Sequence, residues 1–191
     1  MIGLQLLQEC APRVAPVTMA AVVQTESGGN PLVIHDNTTN RSYFPKTRRD
    51  AERILHLLLA AGHQVDAGIA QVDSENFAAY RLNYKNVFDP CTNLQVASKI
   101  LVDSWKASGK KLPGALQVYN SGKPSGDARY ARIVYHHAGV SVPPIPGGKL
   151  AAWAVKPVVC GEGGKKEAEA GGPVRIRVSW TPAASPMQPK W

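Results

Sequence analysis

Ala20-Ala21-Val22-Val23-Gln24-Thr25-Glu26-Ser27-Gly28-Gly29-Asn30-Pro31 is the stretch on which the reading of this chain turns. An apolar, helix-like run ends in a carboxylic acid and is cut off at once by two glycines, an asparagine and a proline, the punctuation of a helix C-terminus. Apolar neighbours withhold water from the Glu26 anion, and the end of a helix carries partial negative charge. Both effects favour the protonated acid near neutral pH. That is the state a general acid requires. A solvated glutamate in a last turn before a glycine cap fits the same residues, so the segment alone leaves both readings open.

Outward from Glu26, period and punctuation predict a chain of helices with one small extended element. Residues 2–9 read as a short helix, and Pro16, suited to a first turn, opens the helix that carries Glu26. Residues 32–44 place Val33-Ile34 and Ser42-Tyr43-Phe44 on either side of the polar Asp36-Asn37-Thr38-Thr39-Asn40, which reads as a hairpin or a long loop. Thr47 with Asp50 three residues on resembles a capping box, and Ala51, Ile54, Leu55, Leu58 and Leu59 then share one helical face until Gly62. A helix is predicted over residues 74–82. Asp89 as N-cap and Pro90 as first helical residue open the next, whose stripe of Leu94, Ala97, Leu101, Val102 and Trp105 stops at Gly109. Residues 112–118 and 127–137 complete the set.

Four segments of this frame, in order, resemble the lytic transglycosylases that share the goose-type lysozyme fold. Glu26-Ser27-Gly28-Gly29-Asn30-Pro31 is similar to the family's "ESGGNP" segment, Gly68-Ile69-Ala70-Gln71-Val72 to "GLMQ", and Tyr119-Asn120-Ser121-Gly122 to "YNSG". Phe88-Asp89-Pro90 with Asn93-Leu94 resembles the helix start between the last two. The likeness covers residues 15–139, and the small size and cysteine-bearing N-terminus look most like the subgroup encoded with type IV secretion and conjugation systems. It implies a mainly α, lysozyme-like α+β fold, with a compact helical domain over residues 1–140 and the hairpin or loop flanking an active-site groove.

The same resemblance implies roles. Glu26 is the single catalytic acid, cleaving the β-1,4 bond of peptidoglycan glycan strands with neither metal nor cofactor. Ser27 is expected to hold the Glu26 carboxyl or the ligand, and Gly68, Ile69 and Ala70 to let backbone approach the sugar. Gln71 offers its amide to the substrate, Tyr119 sets a phenol near the developing cation or Glu26, and Asn120 binds substrate or fixes its loop. Ile69-Ala70 replaces a bulkier leucine-methionine, which is expected to widen that wall of the groove. Asp73 stands where the family usually has Asn, and is read as an N-cap before it is read as a second carboxylate. Tyr43, Phe44, Phe77, Tyr80, Trp105 and Tyr135 are candidates for stacking on sugars, though most suit apolar core faces better. Two further functions stay open on these residues: a lysozyme-type muramidase with water as nucleophile, and a non-catalytic peptidoglycan-binding assembly protein.

Composition narrows the partners. At 191 residues, 44% of them hydrophobic, the chain holds one domain with a core, and no apolar run approaches the length of a membrane span. The formal charge of +8 suits an acidic partner, and without zinc or helix-turn-helix signatures the bacterial wall fits better than nucleic acid. The five histidines have no ligand-like spacing. Residues 1–10 lack the basic start and long apolar stretch of a secretory signal, so a periplasmic or envelope location is expected with its export route unwritten here. Cys10 and Cys91 form a bridge in an oxidising compartment, or all three cysteines are thiols; sequence does not fix connectivity. After Gly139, Pro143, Pro144, Pro146, Gly147 and Gly148 open a stretch, residues 141–191, expected to be a largely disordered tail. In it Val174-Arg175-Ile176-Arg177-Val178 alternates apolar and basic, an edge strand for secretion or conjugation components or an idle segment.

Overall fold

The computed structural model describes residues 3–123, 128–141 and 156–157. The expected tail strand at residues 174–178 lies outside them, as does most of the segment from 142 on. Among the described residues the chain forms seven α-helices and a small four-stranded antiparallel sheet.

Helix α2, Pro16–Ser27, is the central element: Met19, Ala21, Val22 and Val23 are all but fully buried, so it is apolar round most of its circumference. Pro16 occupies its first turn, and Gly28 closes it in the left-handed conformation. Helix α1, Leu4–Cys10, packs beside it and is joined to helix α5, Pro90–Ala107, by a Cys10–Cys91 disulfide. Asp89 caps α5 by accepting from Thr92 N at 2.8 Å, and Leu94, Ala97, Leu101 and Val102 form its buried stripe, with Trp105 half-buried. Helices α6, Leu112–Ser121, and α7, Arg129–His137, pack on α5 and α2 respectively. Thr25 and His137 lie 2.9 Å apart, Oγ1 to Nδ1, at the shared end of α2 and α7.

The extended element is larger than the sequence shows. Strands β1, Ile34–Asp36, and β2, Arg41–Tyr43, form the hairpin, and β3, Val65–Ala67, and β4, Val72–Asp73, extend it to a sheet of order β2-β1-β3-β4. Helix α3, Arg48–Ala60, is capped as expected by Thr47, which accepts from Asp50 N, and it contacts β1 and β3. The hairpin turn is pinned by Asp36, which is fully buried and accepts from Thr38 N, Thr39 N, Thr39 Oγ1 and His63 Nδ1. Burial alone would raise its pKa, but the hydrogen bonds from Thr39 and His63 outweigh that and hold it at about 2.

The helix predicted over residues 74–82 is in fact a 3-10 turn, Ser74–Asn76, and a single helical turn α4, Phe77–Tyr80. Only Phe77 of those seven residues is buried, and Arg81 turns left-handed at φ 55°, so the segment lacks the apolar face that would support a longer helix. Beyond α7, strand β5, Val140–Ser141, pairs antiparallel with β6, Lys156–Pro157, across the point where the domain is expected to end.

Candidate active site

Glu26 sits one residue before the end of α2 and lines a cleft of about 550 Å³. One wall is the sheet with the turn after it, contributing Asn37, Gln64, Asp66, Gln71, Asp73 and Glu75. The other is helical, with Ile100 and Ser104 from α5 and Val118, Tyr119 and Asn120 from α6. Tyr130 of α7 donates its hydroxyl to Glu26 Oε1. Burial pushes the Glu26 carboxyl up to about 7; the Tyr130 hydroxyl pulls it back, and the negative charge of Asp66 adds to the rise. Burial and the nearby Glu26 raise the Tyr130 phenol well above its usual range, so Tyr130 remains a donor. Of the two readings open for Glu26, the geometry matches the proton-holding acid rather than the solvated last-turn glutamate.

The turn after Glu26 explains its sequence. Gly28 and Gly29 have φ 62° and 87°, a reversal that side chains resist. Ser27 Oγ accepts from Gly29 N at 3.1 Å and donates to the Ile69 carbonyl at 2.6 Å, so it ties the α2 terminus to the β3–β4 loop instead of holding the Glu26 carboxyl. Asn30 closes the turn by accepting from Leu32 N.

The loop between β3 and β4, residues 68–71, differs most from expectation. Gly68 has φ 86°, and a Cβ there would lie 2.3 Å from Asn93 Nδ2 and 2.6 Å from the Val87 carbonyl, so its close approach is to the core and not to a ligand. The side chains of Ile69 and Ala70 are likewise buried in the core and do not line the cleft, so their replacement of bulkier residues does not shape its wall. Their backbone carbonyls are what the site uses: Ile69 O holds Ser27, and Ala70 O accepts from the Tyr119 hydroxyl at 2.8 Å. Gln71 does line the cleft at φ 47°, but its amide nitrogen donates to Val33 O and Gly68 O, which leaves the side-chain carbonyl oxygen to meet a ligand. Burial, with the charges of Glu26 and Asp66, raises the Tyr119 phenol well above its normal range. Asn120 is exposed at the cleft wall.

Four further residues are central, three of them outside the recognised segments and one, Asn93, inside the helix-start segment. Asp66 shares the cleft with Glu26; burial foremost, and the neighbouring Asp73, push its carboxyl up to about 6, against a hydrogen bond from Asn37 and the nearby His35. Its one sequence signal is a lone acid between Val65 and Ala67 just before the glycine loop. Asn37, in the hairpin turn, supplies that hydrogen bond at 3.0 Å. Asn93 is fully buried and anchors the loop, with bonds to Ala70 N, Ala67 O and Val87 O. Tyr130 reads from sequence as a core tyrosine of its helix. Asp73 caps the 3-10 turn through Glu75 N at 2.8 Å and accepts from Gln64 at 2.7 Å. None of the aromatic residues considered for sugar stacking lines the cleft, although Phe44 is 69% exposed.

The family described as "Transglycosylase SLT domain" matches residues 6–136, which include every cleft residue named above. The chain belongs to that family. Among curated proteins, this SLT-domain chain is 36% identical over 146 residues to "Protein virB1" of Agrobacterium fabrum, covering 72% of the chain and 60% of that protein. It is 38% identical over 158 residues to "Type IV secretion system protein virB1" of Brucella abortus, covering 74% of the chain and 66% of that protein. A match to "Protein virB1" of Rhizobium radiobacter is 33% identical over 122 residues, 60% of the chain and 51% of that protein. The SLT-domain chain thus spans about half to two thirds of the length of these relatives. No solved structure gives a significant match.

Proposed function

We propose that the protein is a lytic transglycosylase that cleaves the β-1,4 bond between N-acetylmuramic acid and N-acetylglucosamine in peptidoglycan. The observation that carries this reading is Glu26, an acid at a helix end that lines the cleft, is held by Tyr130 and keeps its proton up to about pH 7. As the bond from the anomeric carbon to the bridging oxygen breaks, the Glu26 proton passes to that oxygen and positive charge builds on the ring. The C6 hydroxyl of the same muramic acid then bonds to the anomeric carbon, and its proton passes to the Glu26 carboxylate. The acid is restored and the glycan ends in a 1,6-anhydro sugar.

Gln71 offers its carbonyl oxygen to substrate N–H or O–H groups, Asn120 its exposed amide, and Tyr119 its phenol, fixed on Ala70, near the reacting centre. Ser27 acts at one remove by holding the loop that carries Gln71 and the Ala70 carbonyl on which Tyr119 is fixed. A periplasmic or envelope location fits the Cys10–Cys91 bridge, since disulfides persist in oxidising compartments. A place beside a type IV secretion apparatus, where the protein would open the wall, fits the name of the Brucella relative, a type IV secretion system protein.

A muramidase reading, the same acid with water as nucleophile, has one observation in its favour: Asp66 supplies a second carboxylate in the cleft. Either reaction requires Glu26. Glu26→Gln keeps size and hydrogen bonding but removes the transferable proton, so folded variant protein is expected to release almost no soluble fragments from purified sacculi. General acid catalysis contributes about 10² to 10⁴ in rate, so retention of more than about a tenth of the activity contradicts the assignment.

A further inference from the structure

The sheet turns one polar row toward the cleft side. In the strand register Ser42 of β2 lies opposite His35 of β1, His35 opposite Asp66 of β3, and Asp66 opposite Asp73 of β4. Side chains alternate across a strand, so these four share the face opposite to Ile34, Val65, Ala67 and Val72, which are buried in the core. His35 Nδ1 and Ser42 Oγ are 2.9 Å apart. Both Asp73 oxygens are engaged, one by Gln64 and the other by Glu75 N. Asp66 differs, because Asn37 holds only its Oδ2, at 3.0 Å, and its second oxygen is left to the cleft that Glu26 lines. Asn37 is itself fixed, donating its backbone N–H to Gln64 O at 2.9 Å beside the buried Asp36.

We propose that Asp66 is a second catalytic group of the same reaction, an ionised carboxylate whose free oxygen faces the sugar ring and stabilises the positive charge that builds at the anomeric carbon as Glu26 gives up its proton. The inference rests on the reading of Glu26 as the glycan-cleaving acid. Asp66 forms no bond and exchanges no proton; its effect is the attraction of a fixed negative charge for a developing positive one.

The groups facing Asp66 set its charge. His35 of β1 favours the ionised form, while Asp73 of β4 opposes it. Glu26 of α2 and Tyr119 of α6 share the cleft, and Glu75 of the 3-10 turn lines its outer end. With Asp66 at about 6 and Glu26 at about 7, the first proton lost as pH rises leaves Asp66, and the negative charge it leaves makes Glu26 hold its own more tightly. Activity then requires Asp66 ionised and Glu26 protonated, giving a narrow bell whose acid limb belongs to Asp66 and whose alkaline limb belongs to Glu26.

The test compares wild type, Asp66→Asn and Asp66→Glu for release of soluble muropeptides from purified sacculi across pH, with folding checked by circular dichroism. Asp66→Asn is expected to lower kcat on the order of a hundredfold with KM little changed, the size of effect seen when one preorganised electrostatic group is removed. Its alkaline limb should move to lower pH, because Glu26 loses the charge that raised its pKa, and Asp66→Glu should restore part of kcat. A variant that keeps more than about half of wild-type kcat overturns the inference. So does a fall in kcat with the alkaline limb unmoved, which is what a purely structural role gives. Should Asp66→Asn fail to fold, Asn37→Ala leaves the carboxylate but removes a hydrogen bond to its charged form, and the acid limb must move to higher pH; an unmoved limb overturns the inference. Wild type that releases nothing removes the Glu26 reading itself, whereas active wild type beside an unaffected Asp66→Asn removes only this one.

Discussion

Asn93→Ala probes how the site is held, because a single buried amide carries the loop from which the cleft is built. Asn93 is fully buried, accepts from Ala70 N at 2.9 Å, and donates to Ala67 O and Val87 O at 3.0 Å each. Truncation takes their side-chain partner from three backbone groups. Each buried group so left costs about 1–3 kcal/mol, and water entering the vacated space offsets part of that, so a loss of about 4 kcal/mol is expected. For a chain of this size each kcal/mol lowers Tm by roughly 2–4 °C, which predicts a fall of roughly 8–16 °C. Thermal unfolding followed by far-ultraviolet circular dichroism measures it. Sacculus cleavage should fall further than the population of folded protein explains, because the carbonyls of Ile69 and Ala70 that hold Ser27 and Tyr119 move with the loop. A Tm within about 3 °C of wild type, below the shift expected for a single lost buried hydrogen bond and its exposed partner, refutes the reasoning.

The half-buried, desolvated Glu26 predicts a stability difference as well as a catalytic one. Its folded pKa of about 7 lies above the unfolded value of 4.5, so the folded state binds the extra proton and stability falls as pH rises through that window. Glu26→Gln escapes this loss, and its Tm relative to wild type should be higher at pH 8 than at pH 5; an equal offset at both argues that Glu26 is solvated. Replacing Cys10 and Cys91 by Ser removes a cross-link between residues 81 apart, and chain entropy sets the expected loss at up to about 4 kcal/mol, read as a lower Tm that matches reduced wild type. Asp73→Asn keeps an N-cap acceptor, so a Tm change under about 0.5 kcal/mol equivalent and near-normal turnover are expected. A loss of turnover as deep as that of Glu26→Gln would instead make Asp73 the second carboxylate.

The helices are legible in the sequence because their limits are written locally: Pro16 and Asp89-Pro90 open two of them, and Gly28, Gly62 and Gly109 end or follow three. Strands β3 and β4 are not, since three and two residues are too few to show a period, and β3 joins the sheet by pairing with β1, Ile34 opposite Ala67, far back along the chain. The site divides in the same way. Glu26, Gln71, Tyr119 and Asn120 lie in recognisable segments and do line the cleft, whereas Gly68, Ile69 and Ala70 lie in an equally recognisable segment and face the core. A motif marks where backbone must take a given shape, without saying which side meets the ligand. Tyr130 and Asp66 escape because their relation to Glu26 is purely tertiary: 104 residues separate Tyr130 from the carboxyl it holds.

The most direct test of the account is mass spectrometry of the products released when the purified protein digests sacculi, with Glu26→Gln as control. Transglycosylation through Glu26 predicts 1,6-anhydromuramic ends in the wild-type digest and almost none in the control. Reducing muramic ends would contradict the transglycosylase mechanism and favour a muramidase. Unchanged glycan in the wild-type digest would mean that the cleft binds wall without cutting it.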